Sequence, residues 1–288
     1  MDALSYSRPQ TVSGACELLA SESHDTAVLA GGQDLVGQLR RDERSPTLVV
    51  DINRIPDGEY ITVTEGDIRI GFLTRHTTVA ANDQIRKHCP VLTEATASIG
   101  DKQVRNRGTL CGSIAGGNPN YDPPVAAVTA DATLVLQRAT GRRRVDARSF
   151  FTGPHKTVMA EDELLTEIRV PRAETAGMAY ERYTPTGGSG PIATVGVVLE
   201  VEENSITDAT IAVGSVTETP RLLEPPATQL FEKAPTDATI SAAADCVTEC
   251  IAPEPGPDGS EAYKRELTKT LTRRALLRAR DRTGGASR

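Results

Sequence analysis

Tryptophan is absent from the 288-residue chain and phenylalanine occurs only 4 times, so the core must be built from Val, Leu, Ile and Ala. No run approaches the roughly 18 uninterrupted apolar residues of a membrane-crossing helix. The first ten residues, MDALSYSRPQ, offer neither a basic region nor an apolar stretch of the secretory kind, which sets the expected compartment as the cytoplasm. Positive charge is also in deficit. A net charge of -7 argues against nucleic acid as a partner, because phosphate backbones are held by concentrated Lys and Arg. Cysteine is sparse, odd in number and dispersed, at positions 16, 89, 111, 246 and 250. It offers no CxxC and no four-cysteine group, which reads as reduced thiols and leaves any iron–sulfur cluster to another chain. Cys246 and Cys250 share one face of an expected helix, where packing is their simplest role. There is no GK[ST] phosphate loop and no GxGxxG followed by an acid at the dinucleotide spacing.

What is present begins with a strand–turn–helix–strand pattern. Residues 27–30 are a short apolar strand, Gly31-Gly32 a turn, 33–41 a helix, and 47–52 a second apolar strand. Two hairpin strands are expected at 60–64 and 67–72 about a Glu65-Gly66 turn, with helices at 77–87 and 90–99. A glycine-rich segment spans 108–117, and Pro123-Pro124 suits the first turn of a helix reaching Ala130. Strands at 132–137, 142–145 and 164–170 precede a boundary within 171–175. An antiparallel meander follows at 179–183, 192–202 and 206–213, its alternation suited to a sheet with one face covered by helices. Helices then fall at about 220–231, 236–250 and 260–281, with a Pro/Gly/Asp linker at 253–259 and a short polar tail from 283.

Two segments carry candidate chemistry. Glycines 31 and 32 let the backbone turn sharply and approach a ligand, with their N–H groups and that of Gln33 free to hold a pyrophosphate. The second segment, Thr109, Leu110, Cys111, Gly112 and Ser113, again gathers small residues and hydroxyls, about eighty residues later. A pair of such turns suggests a long ligand between two lobes, although structural packing loops are the preferred reading from residues alone.

The motifs have a family likeness. Residues 30–35, A-G-G-Q-D-L, resemble the AGGHSL flavin-binding motif of the medium subunits of aerobic carbon monoxide dehydrogenases, and T-L-C-G-S at 109–113 resembles their T-I-G-G-S/N. Between them, V-D-I-N-R at 50–54, G-F-L-T-R-H at 71–76 and I-G-D-K-Q-V-R-N-R-G-T at 99–109 resemble further family runs. Later, T-P-R at 219–221, Y-K-R-E-L at 263–267 and R-R-A-L at 273–276 follow in the family's order, so the likeness extends from about residue 5 to 280. The chain thus resembles the FAD-binding medium subunit of the molybdenum hydroxylase family, of the carbon monoxide/xanthine dehydrogenase type.

The resemblance implies an α+β chain. A two-lobed FAD-binding domain of the PCMH, or vanillyl-alcohol-oxidase-like, kind would occupy 1–172, with lobes at about 1–55 and 56–172. A C-terminal domain of antiparallel sheet plus helices would occupy 173–288. It also implies that FAD is held non-covalently by Val28, Leu29, Ala30, Gly31, Gly32, Gln33, Asp34 and Leu35 on one side and by Thr109, Cys111, Gly112 and Ser113 on the other. Ile99, Asp122, Leu165 and Arg182 would lie near the flavin. A large subunit with the molybdenum cofactor and a small one with [2Fe-2S] clusters are the implied partners, in a dimer of heterotrimers. No nucleic acid, no integral membrane attachment, no metal and no catalytic side chain are expected in this subunit.

Two departures from the pattern matter. Gln33-Asp34 stands where His-Ser is usual, and a helix cap is the preferred role for Asp34. Cys111 stands for a glycine, so either its backbone is not in a glycine-only conformation or the segment is shifted. His76 reads as a turn or helix-start residue, Arg142 to Arg144 as an edge-strand charge run, and the basic stretch 264–280 as solvated or intersubunit. A stand-alone flavin oxidoreductase and a flavin-free scaffold remain the rival classes.

Overall fold

The computed structural model describes residues 4–21, 25–185 and 190–284; the end of the polar tail falls outside them. Among the described residues, the amino-terminal half holds two larger sheets and one two-stranded pair. In the first, β1 (Ser5–Ser7), β3 (Leu48–Asp51) and β2 (Thr26–Leu29) lie in that order and all run parallel, with α1 (Val12–Leu19) and α2 (Leu35–Arg40) as connections. Every residue of β3 is buried, as a central parallel strand should be. The strand–turn–helix–strand reading therefore holds, while β1 escaped notice because S-Y-S carries no apolar pattern.

The second sheet is built from β4 (Ile61–Val63), β5 (Asp67–Gly71), β10 (Leu164–Pro171), β6 (Thr133–Arg138) and β7 (Gly141–Asp146), in that order. The expected 60–72 hairpin is its first pair, and β7, carrying Arg142 to Arg144, is an edge strand. Five helices connect β5 to the next segment: α3 (His76–Ala81), α4 (Asp83–His88), α5 (Pro90–Ser98), α6 (Lys102–Arg107) and α7 (Leu110–Ala115). Then α8 (Asp122–Thr129) opens on Pro123-Pro124, and β8 (Phe151–Gly153) pairs with β9 (Lys156–Thr157). The long helix expected at 77–87 is broken at Asn82, whose side chain caps α4 by accepting from Ile85 N.

The carboxy-terminal half is a four-stranded antiparallel sheet of β11 (Gly177–Tyr183), β12 (Ala193–Glu202), β13 (Ser205–Gly214) and β14 (Arg221–Leu222), joined by α9 (Glu224–Leu230), α10 (Asp237–Cys250) and α11 (Glu261–Arg280). Here the sequence reading needs correction, because both faces of the sheet are covered. Ala193, Val195, Val197 and Leu199 of β12 join the cluster containing Ile240, Val247, Leu271 and Leu276 of α10 and α11. The alternate residues face the amino-terminal half. A Cβ on Gly196 would lie 2.1 Å from Thr129 Oγ1, and one on Gly214 would lie 2.3 Å from Val125 Cγ2. Two glycines in neighbouring strands thus open the room that lets α8 pack on the sheet. Each fully buried Leu, Val or Ile contributes on the order of 1.5–3 kcal/mol, so this double burial is a large part of what holds the halves together.

Polar contacts cross the same junction. Glu94 of α5 accepts from Arg278 Nη2 at 2.6 Å, Arg282 Nη2 at 2.7 Å and the Tyr180 N–H at 2.8 Å. Arg278 also reaches Glu181 at 2.5 Å. Part of the basic stretch at 264–280 therefore ties the chain to itself while staying partly exposed.

Candidate functional site

A cavity of about 1370 Å³ opens between the glycine turn after β2 and the segment around α7. Its wall includes Val28, Ala30, Gly31, Gly32, Gln33, Asp34 and Leu35 from one side and Thr109, Cys111, Gly112 and Ser113 from the other, with Ile99, Asp122 and Leu165. The structure thus brings together all but two of the residues singled out from the sequence. Leu29 ends β2 opposite Asp51 and stands outside the wall, as does Arg182 on β11.

The close approach of the two segments rests on missing side chains. Gly31 is pressed on the chain that enters α7: a Cβ there would meet Arg107 O at 2.3 Å and Gly108 Cα at 2.7 Å. Gly32 has φ of 72°, the left-handed region that glycine adopts at no steric cost. The turn they form leaves the amides of residues 31 to 34 without an acceptor among the described residues, so four consecutive N–H groups stand free at the cavity. Asn53 holds the turn from beneath, its Nδ2 donating to Leu29 O at 3.2 Å and Ala30 O at 2.7 Å. Arg75 then links Asn53 Oδ1 at 2.9 Å to Arg107 O at 2.6 Å, joining the two sides.

The second segment corrects the expectation of a turn: it is helix α7. Thr109 caps it, Oγ1 accepting from Gly112 N at 3.1 Å, while Leu110, Cys111 and Ile114 face the core. Cys111 is helical and 3% exposed, so the backbone at that position is not in a glycine-only conformation and the thiol serves packing. Burial pushes the thiol well above its usual range, which keeps it protonated and inert.

Asp34 occupies the N-cap position of α2, yet its side chain makes no capping bond, which corrects the role preferred from the sequence. Its backbone is already near-helical, with φ -98° and ψ -60°, and its carboxylate is directed across the cavity. A Cβ on Gly116 would lie 3.5 Å from its Oδ2. Burial, and then the charge of Asp34, push the Tyr121 phenol up to about 12.

Asp122, 4% exposed, belongs to the same wall. Tyr180 Oη donates to its Oδ1 at 2.9 Å, and Arg182 Nη1 approaches its Oδ2 at 3.3 Å while also donating to Ser98 O. Burial raises the carboxyl against the pull of Arg182. Arg182 therefore supports the wall from behind. Leu165 sits at a β-bulge in β10, where the register against β6 shifts and turns a side chain toward the cavity. His76, read as a helix-start residue, does begin α3, but it also lines the cavity with Nε2 2.9 Å from Ser113 Oγ. No spacing in the sequence signals that pair.

The charge of the wall is uneven. Among the described residues, Asp25, Asp34, Glu43, Asp122, Glu161, Asp162 and Glu163 line it against one arginine, Arg44. The donors this wall offers to an anionic group are chiefly the main-chain N–H groups of the turn, with hydroxyls from the facing segment. Shape, free amides and the scarcity of cations fit a neutral-backbone cradle for a dinucleotide-sized ligand.

Comparison with known proteins agrees over nearly the whole chain. Residues 2–173 match the FAD binding domain in molybdopterin dehydrogenase, and residues 179–279 match the CO dehydrogenase flavoprotein C-terminal domain. The chain belongs to the FAD-binding, medium-subunit family of molybdenum hydroxylases, oxidoreductases of the carbon monoxide/xanthine dehydrogenase type, and its cofactor is FAD. Among relatives, it is 33% identical over 272 residues to the glyceraldehyde dehydrogenase medium chain of Sulfolobus acidocaldarius, covering 94% of this chain and 96% of that one. It is 34% identical over 272 residues to the carbon monoxide dehydrogenase medium chain of Hydrogenophaga pseudoflava, covering 94% and 95%. A solved structure of carbon monoxide dehydrogenase from Hydrogenophaga pseudoflava superposes with a TM-score of 0.94 at 33% identity, over 98% of both chains. The likeness drawn from the motifs and the fold class both stand. Among the described residues no helix is long and apolar enough to cross a membrane.

Proposed function

We propose that this chain is the electron-relaying subunit of a multi-subunit molybdenum-containing hydroxylase, receiving electrons from [2Fe-2S] clusters on a small partner chain and delivering them to an external acceptor. A large partner chain carries the molybdenum cofactor and oxidises the substrate, and the complex is a dimer of heterotrimers. The observation that carries the reading is the cavity between two close-packed small-residue segments in a chain aligned end to end with medium chains of such dehydrogenases. Bound there non-covalently, FAD supplies the exchange between one-electron carriers and a two-electron acceptor.

The chain's own residues do the placing. Gly31, Gly32, Gln33 and Asp34 present their N–H groups to the diphosphate, Val28, Ala30 and Leu35 shape that side, and Thr109, Cys111, Gly112 and Ser113 close the other. Ile99 and Leu165 exclude water from the flavin end, and Asp122, braced by Tyr180 and Arg182, presents a fixed carboxylate beside them. The departures at Asp34 and Cys111 leave the cavity open, one carboxylate pointing across to Tyr121 and the thiol turned into the core.

Purification of the tagged full chain from its native host tests the reading. The expected result is one FAD per chain together with a molybdenum-containing large chain and an iron-containing small chain. Isolation of a solitary flavoprotein that turns over a small alcohol, or of a flavin-free complex, would overturn it.

A further inference from the structure

We propose that His76 is a positioning residue of the cofactor cavity: its Nε2–H donates to Ser113 Oγ, committing the Ser113 hydroxyl to donate in turn to a diphosphate oxygen of FAD. The inference rests on the reading above that the segment at 109–113 faces the diphosphate.

The direction of the proton follows from burial. His76 is 2% exposed, and its Nδ1 is buried without a hydrogen-bond partner among the described residues. A buried N–H with no acceptor forfeits a hydrogen bond it had in water and is rarer in proteins than an under-satisfied acceptor atom. The single proton of the neutral ring therefore sits on Nε2, which lies 2.9 Å from Ser113 Oγ. The ring is neutral because burial, and then the charge of Arg75, push it down to about 4.

A serine hydroxyl has one donor and two acceptor sites. With one acceptor site filled by His76, its proton is turned away from the imidazole, and no acceptor among the described residues takes it. Ser113 is half-buried on the cavity wall, where, among the described residues, acidic side chains outnumber cationic ones.

The imidazole has little freedom to do otherwise. His76 N donates to Gly108 O at 3.0 Å and Leu110 N to Thr74 O at 3.1 Å, which pins the start of α3 to the entry of α7. A Cβ on Gly108 would lie 2.7 Å from His76 Cδ2, so the ring fills the space that this glycine leaves.

The test is titration of FAD into the deflavinated full-length chain, for the wild type and the variants Ser113→Ala, His76→Phe, His76→Gln and the double variant Ser113→Ala/His76→Phe. Ser113→Ala and His76→Phe should each raise Kd about tenfold, the size of one lost hydrogen bond to a charged group. His76→Gln, whose amide can place a donor near Nε2, should stay within about threefold of wild type. In the Ser113→Ala background His76→Phe should add less than about twofold, a coupling that a merely structural histidine would not show. Should His76→Phe fail to fold, the ¹⁵N shifts of the wild-type imidazole decide: an Nε2–H tautomer agrees, and an Nδ1–H tautomer overturns the inference. An unchanged Kd for His76→Phe beside a weakened Ser113→Ala overturns it while leaving the cavity assignment intact. An unchanged Kd for Ser113→Ala overturns both.

Discussion

Replacing Gly31 by alanine asks whether the contact between the two cavity segments is as close as it looks. The added methyl would lie 2.3 Å from Arg107 O, 2.7 Å from Gly108 Cα and 2.9 Å from Arg107 C, all of them main-chain atoms rather than the end of a side chain that could swing aside. Ordinary contact lies near 3.4 Å or beyond, so one backbone must retreat by about 1 Å. Retreat is resisted by Arg75, which holds Arg107 O at 2.6 Å, and by Asn53 beneath the turn. Overpacking of this kind costs about 1–3 kcal/mol. At roughly 2–4 °C per kcal/mol for a domain of this size, the thermal midpoint should fall by about 2–12 °C. The same shift displaces the free amides of the turn, and an ångström at a phosphate-binding backbone should weaken FAD at least about tenfold. Thermal melts with and without FAD, plus a fluorescence titration, read both effects. Gly66→Ala is the control, because nothing lies within 4 Å of its added methyl. If Gly31→Ala melts with the wild type and holds FAD as tightly, the close approach does not shape the site.

Other consequences follow from the same geometry. Gly177→Ala would set a methyl 1.9 Å from Ala279 O, so urea denaturation should show a loss of about 1–3 kcal/mol as α11 is pushed from β11. Glu94→Gln removes the charge that Arg278 and Arg282 share; since these arginines are over a third exposed, the loss should be only about 1 kcal/mol, seen as a lower urea midpoint. The buried, depressed His76 makes stability depend on pH: the unfolded chain takes up a proton near pH 6.5 that the folded chain refuses until about pH 4. Stability is therefore complete above about 6.5 and falls as pH drops toward 4, by on the order of 3 kcal/mol, and His76→Gln should flatten that part of the curve.

Much of the cavity was legible from the amino acids because its first half is local. An apolar strand, Gly31-Gly32 and a second apolar strand state a parallel crossover within residues 27–52, and β2 and β3 do pair in parallel. Helix α7 was not legible, because glycine, serine and threonine favour turns; it forms because Thr109 caps it and Leu110, Cys111 and Ile114 are buried. Asp34 misled for a related reason: its type suits a cap, but tertiary surroundings set where its carboxylate turns. The second covered face of the β11–β14 sheet hides in Gly196 and Gly214, which look like weak strand residues until α8 is seen against them. Contacts at long range, such as His76 to Ser113 and Tyr180 to Asp122, leave no trace in local spacing.

The pairing of Tyr180 and Arg182 with Asp122 also bears on how the chain could be divided. Those two side chains come from β11, whereas the carboxylate begins α8. A fragment ending at the 171–176 connection would keep the acid and lose its donors, and Glu94 would lose both guanidinium partners and the Tyr180 amide at the same stroke. What looks in the sequence like an accessory module is thus a brace standing behind the cavity wall, and severing it would leave an unsupported vessel rather than a smaller one.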